Sequence, residues 1–370
     1  MFSIPPEFSI ALSFVVSLVI VFSSIPSIVK VAQLKRLYDE PGRRKSHHQA
    51  IPNLGGMAIF AGTAISLGIF GDFASTIEFR LILVAMVIVF FIGIKDDILV
   101  IAPAKKLYGE IVAIIVVVVL GNLRLTSLHG FLGVHEIPYI ASILLTSFVF
   151  IVIINGFNLI DGIDGLASGI GIILAAFFGI WFYLVNNIQY AILSATVAGA
   201  LLAFFKFNVY SKTNKIFMGD TGSLLLGLFM SVIVVKFNEL NAGYYGPYAI
   251  MAAPAVSFGI LIVPLFDTLR VFIIRIARKQ SPFRPDKNHV HHLLLKMGYT
   301  HMGATIRIVS ANIVFIALVL SLQSLGIFRL MLINLIVAAI FSFLPELFRR
   351  KHKVRQLVHE FNTQAQARPA

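Results

Sequence analysis

The segment Asn155-Gly156-Phe157-Asn158-Leu159-Ile160-Asp161-Gly162-Ile163-Asp164-Gly165-Leu166 stands between two apolar runs, Ile140 to Ile154 and Ile170 to Val185. A carboxylate pair, an amide pair and several glycines thus sit where a greasy chain reaches a polar boundary. Ionisable groups at such a place are costly and are usually functional. Read as helix, the segment puts Asn158, Asp161 and Asp164 on one face at i, i+3 spacing, with Gly165 one step off. Two carboxylates on one face repel each other unless a cation lies between them, and a divalent ion with oxygen ligands is the natural candidate. Taken alone, the segment also reads as a polar turn between two membrane helices.

Outward from this segment the chain stays apolar. Of its 370 residues 58% are hydrophobic and only 13% charged, with a mean hydropathy of +0.91, whereas a soluble domain carries about 25% charged residues. Runs of spanning length, ~20 residues, fall at Phe8–Val29, Leu54–Phe70, Phe79–Ile94, Leu107–Leu120, Ile137–Ile154, Leu166–Val185, Tyr190–Phe207, Ser223–Val235, Tyr248–Ile276, Thr305–Leu322 and Phe328–Phe348. The fold class is therefore all-α, a polytopic membrane helix bundle of about eleven transmembrane helices. Residues 1–348 form the membrane domain and 349–370 a basic tail. The first run has neither a charged n-region nor a small-residue cleavage site and reads as retained. The absence of cysteine excludes disulfides and any thiolate metal site.

The net charge of +13 is mainly a topology signal. With the N-terminus outside, the loops after spans one, three, seven and nine and the tail hold nearly all the Lys and Arg. The other face has only Arg80, Arg124, Lys236 and Arg329. Positive loops stay inside, so the C-terminus is cytoplasmic. This placement argues against nucleic acid and for an anionic substrate or anionic headgroups.

Every unusual polar cluster falls on that inner face. Lys95-Asp96-Asp97 ends span three. Lys215-Ile216-Phe217-Met218-Gly219-Asp220-Thr221-Gly222-Ser223 opens span eight, with Asp220 near a helix start, a place that also favours phosphate. Loop nine-ten holds Arg284, Lys287 and His289-Val290-His291-His292; loop one holds Arg44, Lys45 and His47 before Pro52-Asn53-Leu54-Gly55-Gly56. Asp267, with Arg270 close by in span nine, reads as a buried structural pair. Five carboxylates on one face beside basic residues suit Mg²⁺, which takes oxygen ligands and shares them with a substrate's phosphates. Zn²⁺ suits them poorly, since no His pair has helical ligand spacing beside a carboxylate. No Walker or kinase sequence is present. The chemistry suggested is phosphoryl or phospho-sugar transfer at the membrane surface.

In order along the chain, Arg44-Lys45-Ser46-His47, Pro52–Gly56, Asp96-Asp97, Asn158–Leu166, Phe217–Ser223 and His289–His292 resemble the motifs of the polyprenyl-phosphate N-acetylhexosamine-1-phosphate transferases. The His-x-His-His form resembles the WecA/TagO branch more than the muramoyl-pentapeptide branch. The resemblance implies that a polyprenyl (undecaprenyl) phosphate attacks a UDP-N-acetylhexosamine, releasing UMP, in a bacterial inner membrane with the active site cytoplasmic. GlcNAc-1-phosphate is the expected group, and O-antigen, other lipopolysaccharide or teichoic acid synthesis the expected context. It implies Mg²⁺, or Mn²⁺ in its place, on Asp220 and Asp161, with Asp96 and Asp97 orienting or deprotonating the lipid phosphate. It implies Asn158 near the metal and diphosphate, Asp164, Phe217 and Asn208 at the nucleoside, His289, His291 and His292 at the diphosphate or sugar, and Lys45 and His47 at a phosphate. A homodimer is compatible with it.

Two departures stand out. The family's branch usually carries a third Asp where this chain has Val100, and the stretch from Asn208 to Phe217 is longer than in the muramoyl branch. The rival donor is UDP-MurNAc-pentapeptide. The rival class is an ion-coupled transporter, which needs carboxylates near the mid-plane; Asp267 is the residue that would serve it.

Overall fold

The computed structural model describes residues 5–37, 51–73, 76–99, 101–277, 279 and 289–343. Lys45, His47, Val100, Arg284, Lys287 and the tail 349–370 lie outside these. The chain is a helix bundle: α1 Pro6–Lys35, α2 Gly55–Phe70, α3 Ile77–Leu99, α4 Pro103–Ile115, α5 Tyr139–Ile160, α6 Leu166–Leu184, α7 Ile188–Val209, α8 Gly219–Gly243, α9 Ala253–Ile260, α10 Ile262–Ala277, α11 Val290–Lys296, α12 His301–Ser321 and α13 Ile327–Phe343. Among the described residues seven of these, α1, α3, α5, α6, α7, α8 and α12, are long and apolar enough to cross a membrane, and α2 and α13 are shorter apolar helices.

The two remaining expected spans differ in form. Leu107–Leu120 is the end of α4 running into a π-helical turn, Val116–Leu120. The long span Tyr248–Ile276 is not one helix but two, α9 and α10, parted at Leu261. Pro264 supplies the reason, because it has no N–H for the preceding turn and its ring crowds the carbonyl four residues back. Within the described residues a short antiparallel hairpin, β1 Ser127–Phe131 and β2 Val134–Glu136, interrupts the all-α pattern. It is pinned to the end of α8 by Glu239, whose carboxylate accepts from Thr126 N at 2.6 Å and Thr126 Oγ1 at 2.8 Å.

The central post is α8. Its most apolar window is 83% buried, against 22% for α1, and its hydrophobicity is spent on neighbouring helices. Phe237 packs edge-on against Phe178 and Trp181, at 5.1 and 4.6 Å between ring centroids. Because α8 is walled by other helices, its N-terminus is a place where several elements present side chains to a common point. The C-terminal ends of α3, α5 and α7 and the N-terminal ends of α2, α4, α8 and α12 meet there, as their contacts below show.

Candidate active site

The site begins with the way α8 starts. A helix leaves its first N–H groups unsatisfied, and here the cap comes from another helix. The Asp97 carboxylate, at the end of α3, accepts from Asp220 N at 2.7 Å, Thr221 N at 3.0 Å and Thr221 Oγ1 at 2.5 Å. A strap from the Pro52–Gly56 segment closes the other side: Phe217 N donates to Pro52 O at 2.8 Å, and Gly55 N and Gly56 N donate to Phe217 O and Met218 O at 2.9 Å. Gly219 turns the chain between strap and helix at φ +70°, and a Cβ there would stand 2.0 Å from Asn53 O. Only glycine fits both the dihedral and the space.

Asp220 is thereby fixed in the first turn of α8. Its carboxylate is ion-paired with Lys106 of α4 and accepts from Asn158 Nδ2 of α5 at 2.6 Å. The same Asn158 amide reaches Ser223 Oγ at 2.9 Å. Lys106 also reaches Asp96 Oδ2 at 3.2 Å, and Asp96 accepts from Ile101 N at 2.7 Å. One turn forward along α4 and one turn back along α5, Asn155 Nδ2 donates to the buried Glu110 at 3.0 Å.

The sequence-based helix over Asn158, Asp161 and Asp164 does not continue that far. α5 ends at Ile160, Asp161 is its C-cap and residues 161–165 form a loop. The glycines at 162 and 165 favour a turn over another helical turn. The loop is clamped by Asn208 at the end of α7, which accepts from Gly165 N at 2.7 Å and donates to Ile216 O at 2.9 Å. Asp164 takes Lys215 Nζ on Oδ2 at 2.6 Å, and His301 Nδ1 stands 3.5 Å from the same oxygen. Burial works against the Asp164 charge, but the hydrogen bonds from His301 and Lys215 and the Lys215 charge outweigh it and hold the carboxyl below the usual range. Asp161 has no such help. Burial, and then the charges of Asp220, Asp97 and Asp164, push its carboxyl well above that range.

These residues enclose a cavity of about 370 Å³ lined by Asn53, Asp97, Asn158, Asp161, Asp164, Asn208, Phe217, Asp220, Ser223 and His301, among others. Asp96 is not among the lining residues and is linked to Asp220 by Lys106. The histidine motif stands behind the loop. His289 Nδ1 is 3.0 Å from Asp267 Oδ2, and Val290 N donates to Asp267 Oδ1 at 3.0 Å. Asp267 therefore serves to anchor this motif, rather than to pair with Arg270, whose guanidinium lies 5.4 Å from the Phe343 ring. His291 is pressed against Gly162, where a Cβ would stand 2.4 Å from its Nε2. Burial pushes the His291 imidazole down to about 3, so it is neutral. None of His289, His291 and His292 is on the cavity wall.

Sequence reasoning passed over Lys106, Lys215 and His301 as site residues. Lys106 counts there as a loop charge, Lys215 as a loop charge and the first residue of the cluster that opens span eight, and His301 carries no local motif.

The donor set suits a hard cation. Asp161 lies among three other carboxylates with no hydrogen-bond donor on it from the described residues, and Lys106 holds a positive charge on Asp220. Among the described residues no trio of His, Cys, Asp or Glu stands ready to hold an ion alone. Mg²⁺ needs no such trio, because it is usually held by one or two carboxylates and completed by water and substrate phosphates.

Residues 79–238, which carry most of this wall, match the family model of glycosyl transferase family 4. The chain is 31% identical over 287 residues to undecaprenyl-phosphate alpha-N-acetylglucosaminyl 1-phosphate transferase of Escherichia coli K12, covering 76% of this chain and 75% of that one. It is 30% identical over 338 residues to the probable undecaprenyl-phosphate N-acetylglucosaminyl 1-phosphate transferase of Bacillus subtilis, covering 91% of each. It is 31% identical over 292 residues to the decaprenyl-phosphate N-acetylglucosaminephosphotransferase of Mycolicibacterium smegmatis, covering 72% of this chain and 71% of that one.

Proposed function

The chain belongs to glycosyl transferase family 4, and from that premise we propose that it moves GlcNAc-1-phosphate from UDP-GlcNAc to a polyprenyl phosphate. The observation that supports this most is the single cavity walled by Asp97, Asp161, Asp164 and Asp220, with Lys106 and Lys215 on its acidic residues. A lipid phosphate oxygen attacks the β-phosphorus, the bond from that phosphorus to the bridging oxygen breaks, and UMP leaves with the oxygen. One diphosphate is made as another is broken, so rate must come from positioning and charge neutralisation.

Asp220 and Asp161 would hold Mg²⁺, or Mn²⁺ in its place, which neutralises charge on the diphosphate when bound. Lys106, now shared by Asp96 and Asp220, offers its ammonium to phosphate oxygens at the same point. A phosphate monoester has a second pKa near ~6, so the acceptor needs no dedicated base at neutral pH. Asn158 holds Asp220 in place. Asp164, Lys215 and the Phe217 ring form the nucleoside end, where Asn208 acts by clamping the loop. His289, His291 and His292 support that loop from behind, and Lys45 and His47 serve the phosphate side.

The same reading takes the chain across a bacterial inner membrane about eleven times, with this end of the bundle and the tail cytoplasmic. The reaction then starts lipid-linked envelope polysaccharides. A homodimer is consistent with it.

In detergent, radiolabelled UDP-GlcNAc and a short-chain polyprenyl phosphate should give UMP and a lipid diphospho-sugar. Release should stop with EDTA, return with Mg²⁺ or Mn²⁺, and be absent with UDP-MurNAc-pentapeptide. Release without the lipid, or in full with EDTA, would overturn the proposal. Phe217→Ala should weaken a competitive uridine-nucleoside inhibitor about tenfold, in line with ~1–1.5 kcal/mol for a ring stacked on a base; an unchanged inhibition constant would move the nucleoside elsewhere.

A further inference from the structure

We propose that His301 and Thr305, on the first turns of α12, are positioning residues that turn the Asp164 carboxylate into a reader of the donor's nucleobase. The inference rests on the UDP-sugar reading above and adds to it residues outside the matched segment 79–238.

Asp164 sits on a five-residue loop that has no ladder or helix of its own to hold it. Its restraints come from elsewhere. Thr305 Oγ1 donates to the Asp164 carbonyl at 2.8 Å, and His301 Nδ1 reaches its Oδ2. These two are four apart on a helix and so share a face; α12 grips the backbone and the side chain of the same residue. Lys215 arrives on Oδ2 as well. Both partners therefore converge on one oxygen. Oδ1 has no partner among the described residues, while Asp164, His301 and Phe217 all line the cavity.

A carboxylate tethered by one oxygen and open at the other is a directed acceptor. The imide N3–H of uracil is a donor and matches it. Cytosine presents a lone pair at the same position, which would face a negative oxygen. A site built to accept a hydrogen bond rejects an analogue lacking the donor far more strongly than an apolar pocket rejects a change of shape. A carboxylate free to rotate on the loop would lose that selectivity, because it could turn Oδ1 away at little cost.

The test uses the full chain in detergent, with UMP and CMP binding by calorimetry beside steady-state kinetics. His301→Phe keeps a ring and removes the donor. It should weaken UMP about tenfold, the size of one hydrogen bond to a charged group, and narrow the preference for UMP over CMP by a similar factor. KM for UDP-GlcNAc should rise in parallel, with kcat and KM for the lipid changing less than about threefold, since the contact is remote from the reacting phosphorus. His301→Asn, whose amide can stand where Nδ1 stands, should recover most of the loss. Thr305→Val should act in the same direction and Thr305→Ser should restore it; this pair decides the matter if His301→Phe does not fold. Folded variants with unchanged UMP affinity and base preference overturn the inference while leaving the donor reading intact. Wild-type protein that binds neither nucleotide overturns the donor reading itself, and this inference with it.

Discussion

Asp220→Asn should lower turnover by roughly 10³-fold while leaving the melting temperature in detergent nearly unchanged, because the substitution removes a charge aimed at the reacting phosphates and almost no packing. The side chain is isosteric. Its oxygen can still accept from Asn158 Nδ2, now at 2.6 Å, and the helix start stays capped by Asp97 through the backbone of residues 220 and 221. Lys106 keeps Asp96 as a partner. On the proposed assignment, what is lost is one of the two carboxylates that would hold a divalent cation against a diphosphate. The variant should also need far more Mg²⁺ for what activity remains, and Mn²⁺ titrated by electron paramagnetic resonance should bind more weakly. A variant with ordinary turnover and ordinary metal affinity would remove Asp220 from the metal, and the assignment of Asp161 would fall with it.

The helix bundle was legible because its signal is bulk: long apolar runs admit few structures in lipid other than helices. So was the gathering of the acidic segments, since loop charge gives sidedness and sidedness places the ends of α3 and α5 and the start of α8 together. The inner arrangement was less open to reading. Periodicity extended the helix of α5 through Asp164, because i, i+3 carboxylates match a helical face as well as a turn does. The glycines at 162 and 165 were the evidence for a turn, and Gly165 at φ +76° is where they decided it. Hydropathy merged α9 and α10 because Pro264 interrupts the backbone without interrupting apolarity. Lys106, Lys215 and His301 stayed hidden for a common reason. Each meets a carboxylate of the cavity wall across a long sequence gap, 114 residues for Lys106 and Asp220 and 51 for Lys215 and Asp164, whereas the near neighbour of Lys106, Asp96, is off that wall. No local pattern records such a pairing. Asp267 shows the converse, a conspicuous carboxylate in an apolar run whose partner, His289, lies 22 residues on. That pairing removes the residue a transporter reading would have needed.

Asp97 separates a catalytic from a structural reading of the Asp-Asp motif, and here the expected result departs from what the resemblance implies. Three donors converge on its carboxylate. Asparagine can offer them one oxygen, and its amide N–H groups would point at at least one donor. A buried donor left unpaired costs about 1–3 kcal/mol, and the lost charge at a helix N-terminus about a further 0.3–1 kcal/mol. Asp97→Asn should therefore destabilise the protein by roughly 2–3 kcal/mol, seen as a melting temperature lower by several degrees. It should also cut turnover strongly, because the turn it caps carries Asp220. The two losses should travel together. A second-site change that raises stability elsewhere in the bundle should restore the melting temperature without restoring rate, since it does not rebuild the cap on Asp220 N. A base acting on the lipid phosphate predicts a different pair of results: turnover lost with the melting temperature unmoved, and the acid limb of the pH–rate profile lost with it. If Asp97→Asn gave that pattern, the cap would be incidental and Asp97 would belong to the chemistry.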